Sequence, residues 1–139
     1  MIKRILCLLL GLGELPKAVK AALRAEGIRI LEEGVRVSVI YRNFRASGKF
    51  FAWKHRVSFG AIAVTTRRLM AYAGCIRLVN VMFNDPSISK LDISVECPNC
   101  LCIVFDPSDF NPSQSGQIEC RFYTPQAEHI AKWIDQSGS

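Results

Sequence analysis

The sequence predicts a mainly β fold of the α+β kind, with about seven antiparallel strands, a C-terminal helix capping them and an extra helix in front. Three observations predict it. Gly60–Phe83 breaks into three short apolar runs separated by polar or glycine turns, which is the pattern of a strand meander. Further stretches at 35–42, 91–96, 101–106 and 118–122 alternate apolar and polar residues with a period of two. From Thr124 onward the apolar residues instead recur at helical spacing.

The chain has 139 residues, 50% of them hydrophobic and 22% charged, which suits one domain with a real core. No internal repeat, low-complexity segment or linker divides it, so residues 1–139 read as a single domain: a helical extension over 1–27 and a core over 28–136. The apolar run Ile5–Leu12 behind Lys3 and Arg4 has the outline of a signal peptide, but it is short and no A-x-A-like site follows. It reads as a packed N-terminal segment. No run reaches the eighteen or so apolar residues of a membrane-spanning helix.

Along the chain, residues 15–26 read as a helix. Pro16 suits its first position, Gly27 ends it, and Leu15, Ala18, Val19, Ala22 and Leu23 form one stripe. Val35, Val37, Val39 and Tyr41 face one side of a strand, against Arg36, Ser38, Ile40 and Arg42. Asn43–Gly48 reads as a loop, and the aromatic and basic segment 49–56 leads into a strand at Val57–Thr65. Thr65–Arg68 is a polar turn, with Arg67 and Arg68 in solvent and Leu69 back in the core. Leu91, Ile93 and Val95 alternate with Asp92, Ser94 and Glu96, and Leu101, Ile103, Phe105, Ile118, Cys120 and Phe122 repeat the pattern. Asp106–Gly116, with two prolines, is a long loop. Thr124 is an N-cap and Pro125 a first helical residue, followed by a stripe of Ala127, Ile130, Ala131 and Ile134.

Charge is segregated. Gly34–Asn84 holds nine basic residues and no Asp or Glu, whereas Asp85–Ser139 holds three basic and eight acidic residues, within a net charge of +6. Such a block can attract the phosphates of lipid or nucleic acid, or else be a solvated sheet face whose arginines pair with the acidic half of the same fold.

Six cysteines, at 7, 75, 97, 100, 102 and 120, come without a convincing secretion signal, so reduced thiols and a cytoplasmic setting are expected. Cys97–Cys100 has the spacing of half a zinc knuckle or of a redox pair. A structural zinc site needs four ligands, and the simpler reading is a tight turn at Pro98–Asn99. His55 and His129 stand far apart, and His129 reads as a surface residue. None of the nucleophile-elbow, phosphate-loop, dinucleotide or zinc-protease signatures occurs. No catalytic residue, metal or cofactor is expected.

The segment Val64–Tyr72 resembles the hairpin of bacterial pleckstrin-homology-like (PH-like) and GRAM-type domains, and Thr124–Ile134 is similar to the helix that closes them. The resemblance covers roughly residues 28–136; the helix at 15–26 lies outside it. It implies two nearly orthogonal antiparallel sheets, a β-barrel plugged at one end by the last helix. It also implies a non-catalytic binding module that associates with itself or docks a protein partner. The alternative it implies is peripheral contact with an anionic membrane through the basic–aromatic segment 42–56. The candidate binding residues there are Arg42, Arg45, Lys49, Trp53, Lys54 and Arg56, with Phe51, Trp53 and Phe59 open to a second reading as core. Nucleic acid is not an expected partner.

Overall fold

The computed structural model describes residues 14–74, 76–97 and 99–137. The apolar run at 5–12, Cys7, Cys75 and Pro98 of the expected turn lie outside them. Helix α1 (Lys17–Glu26) is followed by β1 (Ile28–Ala46), β2 (Lys49–Thr65), β3 (Arg68–Ala73) and β4 (Ile76–Met82). A 3-10 turn at Pro86–Lys90 leads to β5 (Asp92–Cys97) and β6 (Cys100–Phe105); a second at Pro107–Asp109 precedes β7 (Ser115–Tyr123) and helix α2 (Ala127–Ser137).

The strands join one antiparallel sheet in the order β4-β3-β2-β1-β7-β6-β5. It is not a closed barrel, which corrects that expectation: β4 and β5 end the sheet and do not pair. The chain between them forms a proline-initiated 3-10 turn, in which Asp85 Oδ1 accepts from Ser87 N at 2.9 Å. The sheet is instead continuous through β1, which pairs with β2 on one edge and β7 on the other.

Inside, Val35, Val37 and Val39 of β1 meet Ile62, Val64 and Leu69, then Leu101, Ile103 and Phe122 from the other half of the sheet. Ala127, Ile130 and Ile134 complete this core from α2, which lies against β5, β6 and β2. Thr124 prepares the helix as its sequence suggests: its Oγ1 accepts from Gln126 N at 3.1 Å and donates to Glu32 Oε1 at 2.7 Å.

Helix α1 covers the opposite face of the sheet. Leu15 and Leu23 pack with Ala61, Ala63, Met70 and Tyr72 in a separate small core. Each strand of this patch is therefore buried on both faces, which is why Ala61–Val64 and Leu69–Ala73 read as unbroken apolar runs. The small side chains of Ala61 and Ala63 let the helix approach. Only part of the expected stripe is used: Ala18 and Ala22 are exposed, because the helix touches the sheet mainly through Leu15, Val19 and Leu23.

Polar contacts strap α1 at both ends. Leu15 N donates to Glu33 Oε2 at 2.9 Å and Lys20 Nζ pairs with Glu33 Oε1 at 3.0 Å. At the other end Gly27 adopts φ 92°, and the Glu26 carboxylate accepts from Thr65 Oγ1 and Arg68 Nε, each at 3.0 Å. Arg68 is thus not a free solubilising residue of the turn. It ties the β2–β3 hairpin to the helix, while Arg67 does stay exposed.

The expected loop at Asn43–Gly48 is also corrected. Strand β1 continues to Ala46, and only Ser47 and Gly48 turn the chain into β2. The polar residues that suggested a loop are a bulge: Asn43 has φ 49°, Gly116 of β7 has φ 108°, and the β1–β7 register shifts between Arg42 and Arg45.

Candidate functional site

Strand β2 outruns its outer neighbour, whereas β1 stays paired with β7 as far as Arg45, opposite Ser115. β3 pairs with β2 only from Gly60 to Val64, so the edge of β2 from Lys49 to Ser58 has no strand beyond it among the described residues. The result is an arm of β2 and β1, backed by β7, whose outer strand β2 presents a free backbone edge. The arm gathers most of the sequence-predicted site residues.

Register places their side chains. Lys54, Arg56 and Ser58 pair with Tyr41, Val39 and Val37 and share their face of the sheet. Trp53, His55 and Val57 pair with Arg42, Ile40 and Ser38 on the opposite face. Trp53 is 62% exposed, Val57 53% and Phe50 55%, so the reading of Trp53 as a core residue is overturned. Trp53 lies on the face of β2 opposite to that of Tyr41, Val39 and Val37, away from the core. Phe51 does turn inward, stacking on Phe44 with ring centroids 6.0 Å apart, and Phe59 is half-buried.

The cations lie close to the aromatics. The Arg45 guanidinium sits 4.9 Å from the Phe50 ring centroid and Lys54 Nζ 4.4 Å from that of Phe51, so each keeps its charge at the surface with its stem packed. Lys49 and Arg56 are exposed. His55 Nε2 shares a 2.7 Å hydrogen bond with Ser38 Oγ, and the His55 ring lies 6.1 Å from Trp53.

Arg42 stands apart from the other five candidates. Its Nη1 bonds Glu119 Oε1 at 3.1 Å, and Arg121 bridges Glu119 to Glu96 along β7 and β5. Here the basic block does meet the acidic half of its own fold. The Arg121 guanidinium holds the Glu119 carboxyl below the usual carboxylate range; burial opposes this and Arg42 reinforces it. A carboxyl lowered in the folded state stabilises the protein above the unfolded value of about 4.3, and that contribution is lost as pH falls through the folded value. The urea midpoint should therefore fall as pH is taken from neutrality down past the usual Glu range. Glu119→Gln should be weaker at neutral pH and should lose less on acidification; equal losses in both proteins would show that the network contributes nothing.

The cysteine pair forms the hairpin that the sequence suggests: Cys97 pairs with Cys100, and Asn99 O accepts from Thr124 N at 2.9 Å. Cys97 is exposed, whereas Cys100, Cys102 and Cys120 are buried. Burial pushes the Cys102 thiol up to about 12, helped by its hydrogen bond to Glu96, and burial raises Cys120 and Cys100 as well. Thiolate is the reactive form, so among the described cysteines iodoacetamide should label Cys97 first in the native protein, with Cys102 and Cys120 labelled only in denaturant. Mass spectrometry of timed digests checks this, and fast native labelling of Cys102 would contradict the burial described.

A cavity of about 310 Å³ opens between Tyr41 and Phe44 of β1 and Leu78, Phe105, Phe110 and Ile118, rimmed by Arg77, Asn80 and Asn111. Its lining comes from β1, β4, β6, β7 and the 3-10 turn, so no spacing in the sequence could have pointed to it. Phe50 and Val57, also missed as site residues, carry a readable signal: they continue the aromatic and alternating pattern around Trp53. No family model matches the chain, and no curated protein matches it by sequence.

Proposed function

We propose that this protein is a non-catalytic interaction module of the PH-like kind, which docks a protein partner on the β1–β2 arm. The observation that carries the reading is the unpaired edge of β2 from Lys49 to Ser58, with Trp53 and Val57 exposed on one face of it. A free edge supplies backbone donors and acceptors in a row, and alternating side chains beside it supply selectivity. The strand order and the C-terminal helix are compatible with the PH-like fold and its pair of crossed sheets, and the reduced cysteines fit a cytoplasmic setting. The test is a photo-crosslinking amino acid in place of Val57, compared with one in place of Lys132 on α2. Irradiation in cells should give a discrete protein adduct from position 57 and none from 132. Equal adducts from both sites, or none from 57, would sink the reading.

A second reading, contact with an anionic membrane, is favoured by a specific feature: Phe50 and Trp53 are exposed near the tip, beside Arg45 and Lys49. No helix among the described residues is long and apolar enough to cross a membrane, so such contact would be peripheral. Salt-sensitive sedimentation with phosphatidylserine vesicles, lost on reversing Lys49, Lys54 and Arg56 to Glu, would support it.

A further inference from the structure

The edge of β2 has two chemically different sides, and they restrict what can lie along it. On one face stand Trp53, His55 and Val57; on the other stand Lys54 and Arg56. A strand added beside β2 would place its own alternating residues against these two rows, since residues opposite one another share a face. A second copy added antiparallel through the same edge and centred on His55 would bring Lys54 of each copy against Arg56 of the other on one face. Like charges opposed in this way destabilise the pair. No acidic residue anywhere from Gly34 to Asn84 offsets them. Cations on an edge strand guard against self-pairing, but the same cations favour a partner of opposite sign.

We infer that the occupant of this edge is an extended acidic segment of another protein, carrying Asp or Glu at every second position and apolar residues between. It adds as a further strand to β2, its carboxylates toward Lys54 and Arg56 and its apolar residues toward Trp53 and Val57. The inference rests on the docking reading above and narrows it to one class of partner.

The experiment titrates the isotope-labelled full chain with a short acetylated peptide of alternating Glu and Val, followed by amide shifts. Controls are a peptide alternating Lys and Val, a peptide with the same Glu and Val in two blocks, and the alternating peptide N-methylated along one edge. The Glu/Val peptide should bind with shifts concentrated in residues 49–58, and should weaken about tenfold from low to high salt. The block and N-methylated peptides should bind at least about tenfold more weakly, because strand addition needs both the period and the backbone hydrogen bonds. The Lys54→Glu, Arg56→Glu double variant should lose the acidic peptide and take up the Lys/Val one, a switch that an unfolded protein would not make. Equal binding of block and alternating peptides would overturn strand addition. Preference for the Lys/Val peptide at the same edge would overturn the acidic partner while leaving the docking reading intact. Failure of every peptide, together with binding of phosphatidylserine vesicles by residues 45–56, would remove both.

Discussion

Replacing Gly60 by alanine should lower the unfolding free energy by about 3 kcal/mol or more, beyond the usual penalty for an overfilled core. The reason is space rather than backbone freedom, since Gly60 does not occupy the left-handed region. A β-carbon there would run into the carbonyl oxygen of Tyr72 and approach Val37 Cγ2 to 2.9 Å. A side-chain tip can turn away, but a strand carbonyl can move only by breaking the β2–β3 ladder, where Gly60 pairs with Ala73. Gly60 is also the last residue before β2 loses its neighbour. The variant should therefore loosen β3 and β4 from the sheet while leaving the β1–β2 ladder of the arm in place. Urea unfolding would give the loss, and amide exchange would locate it. A variant within about 0.5 kcal/mol of the parent, the range of a neutral surface change, would refute this description of the junction.

Phe122→Ala should cost about 3–5 kcal/mol, the usual range for emptying the site of a fully buried aromatic ring. Phe122 is wholly inaccessible and pairs with Val37 on one side and Leu101 on the other. It stands where β7 joins β1 to the β5–β6 hairpin, and it belongs to the core that α2 closes. No neighbour can collapse into the space without dragging a ladder with it. The same substitution at exposed Phe50 should be nearly neutral for stability, which makes the pair a direct check on the two environments. Comparable losses at the two positions would mean that the arm is packed and the proposed docking edge is covered.

Much of the fold was legible because burial on one face writes a period of two. Ile118–Phe122 alternates in sequence and in space, Val35–Tyr41 does so except at buried Ser38, and Leu101–Phe105 is buried on both faces at Cys102. The C-terminal helix was readable from Thr124 and its stripe, and the first helix from Leu15, Val19, Leu23 and Gly27, although Pro16 stands at its N-cap rather than in its first turn. What misled was chemistry serving two uses. The polar residues at 43–48 have loop composition, yet Asn43 and Gly116 use the same conformational freedom to bulge a strand. Arg68 looks like a turn residue until Glu26, far away in sequence, arrives beside it. The open sheet was not legible at all, because whether β4 meets β5 depends on the geometry of a whole sheet rather than on any local pattern. For the site, the basic and aromatic residues of 45–56 were visible and are brought together. Arg42 was drawn in by its charge alone; its partner Glu119 lies on β7, which no spacing links to it.

The central position of β1 has a bearing on how the protein is made. The first strand of the sheet takes one neighbour, β2, from the next stretch of chain, and the other, β7, from nearly its end, with Arg36 set opposite Tyr123. Residues 28–82 can zip as a local meander while translation continues, but the far side of β1 stays unmatched until β7 leaves the ribosome. Pairings of such long sequence separation are slow to close, on the order of milliseconds to seconds in comparable β topologies. Until then the far edge of β1 is open in addition to the outer edge of β4 and the free stretch of β2, and the apolar row Val35, Val37, Val39 lies bare beside it. The hazard of misassociation in the cell is thus concentrated in synthesis, before the last strand shields the first.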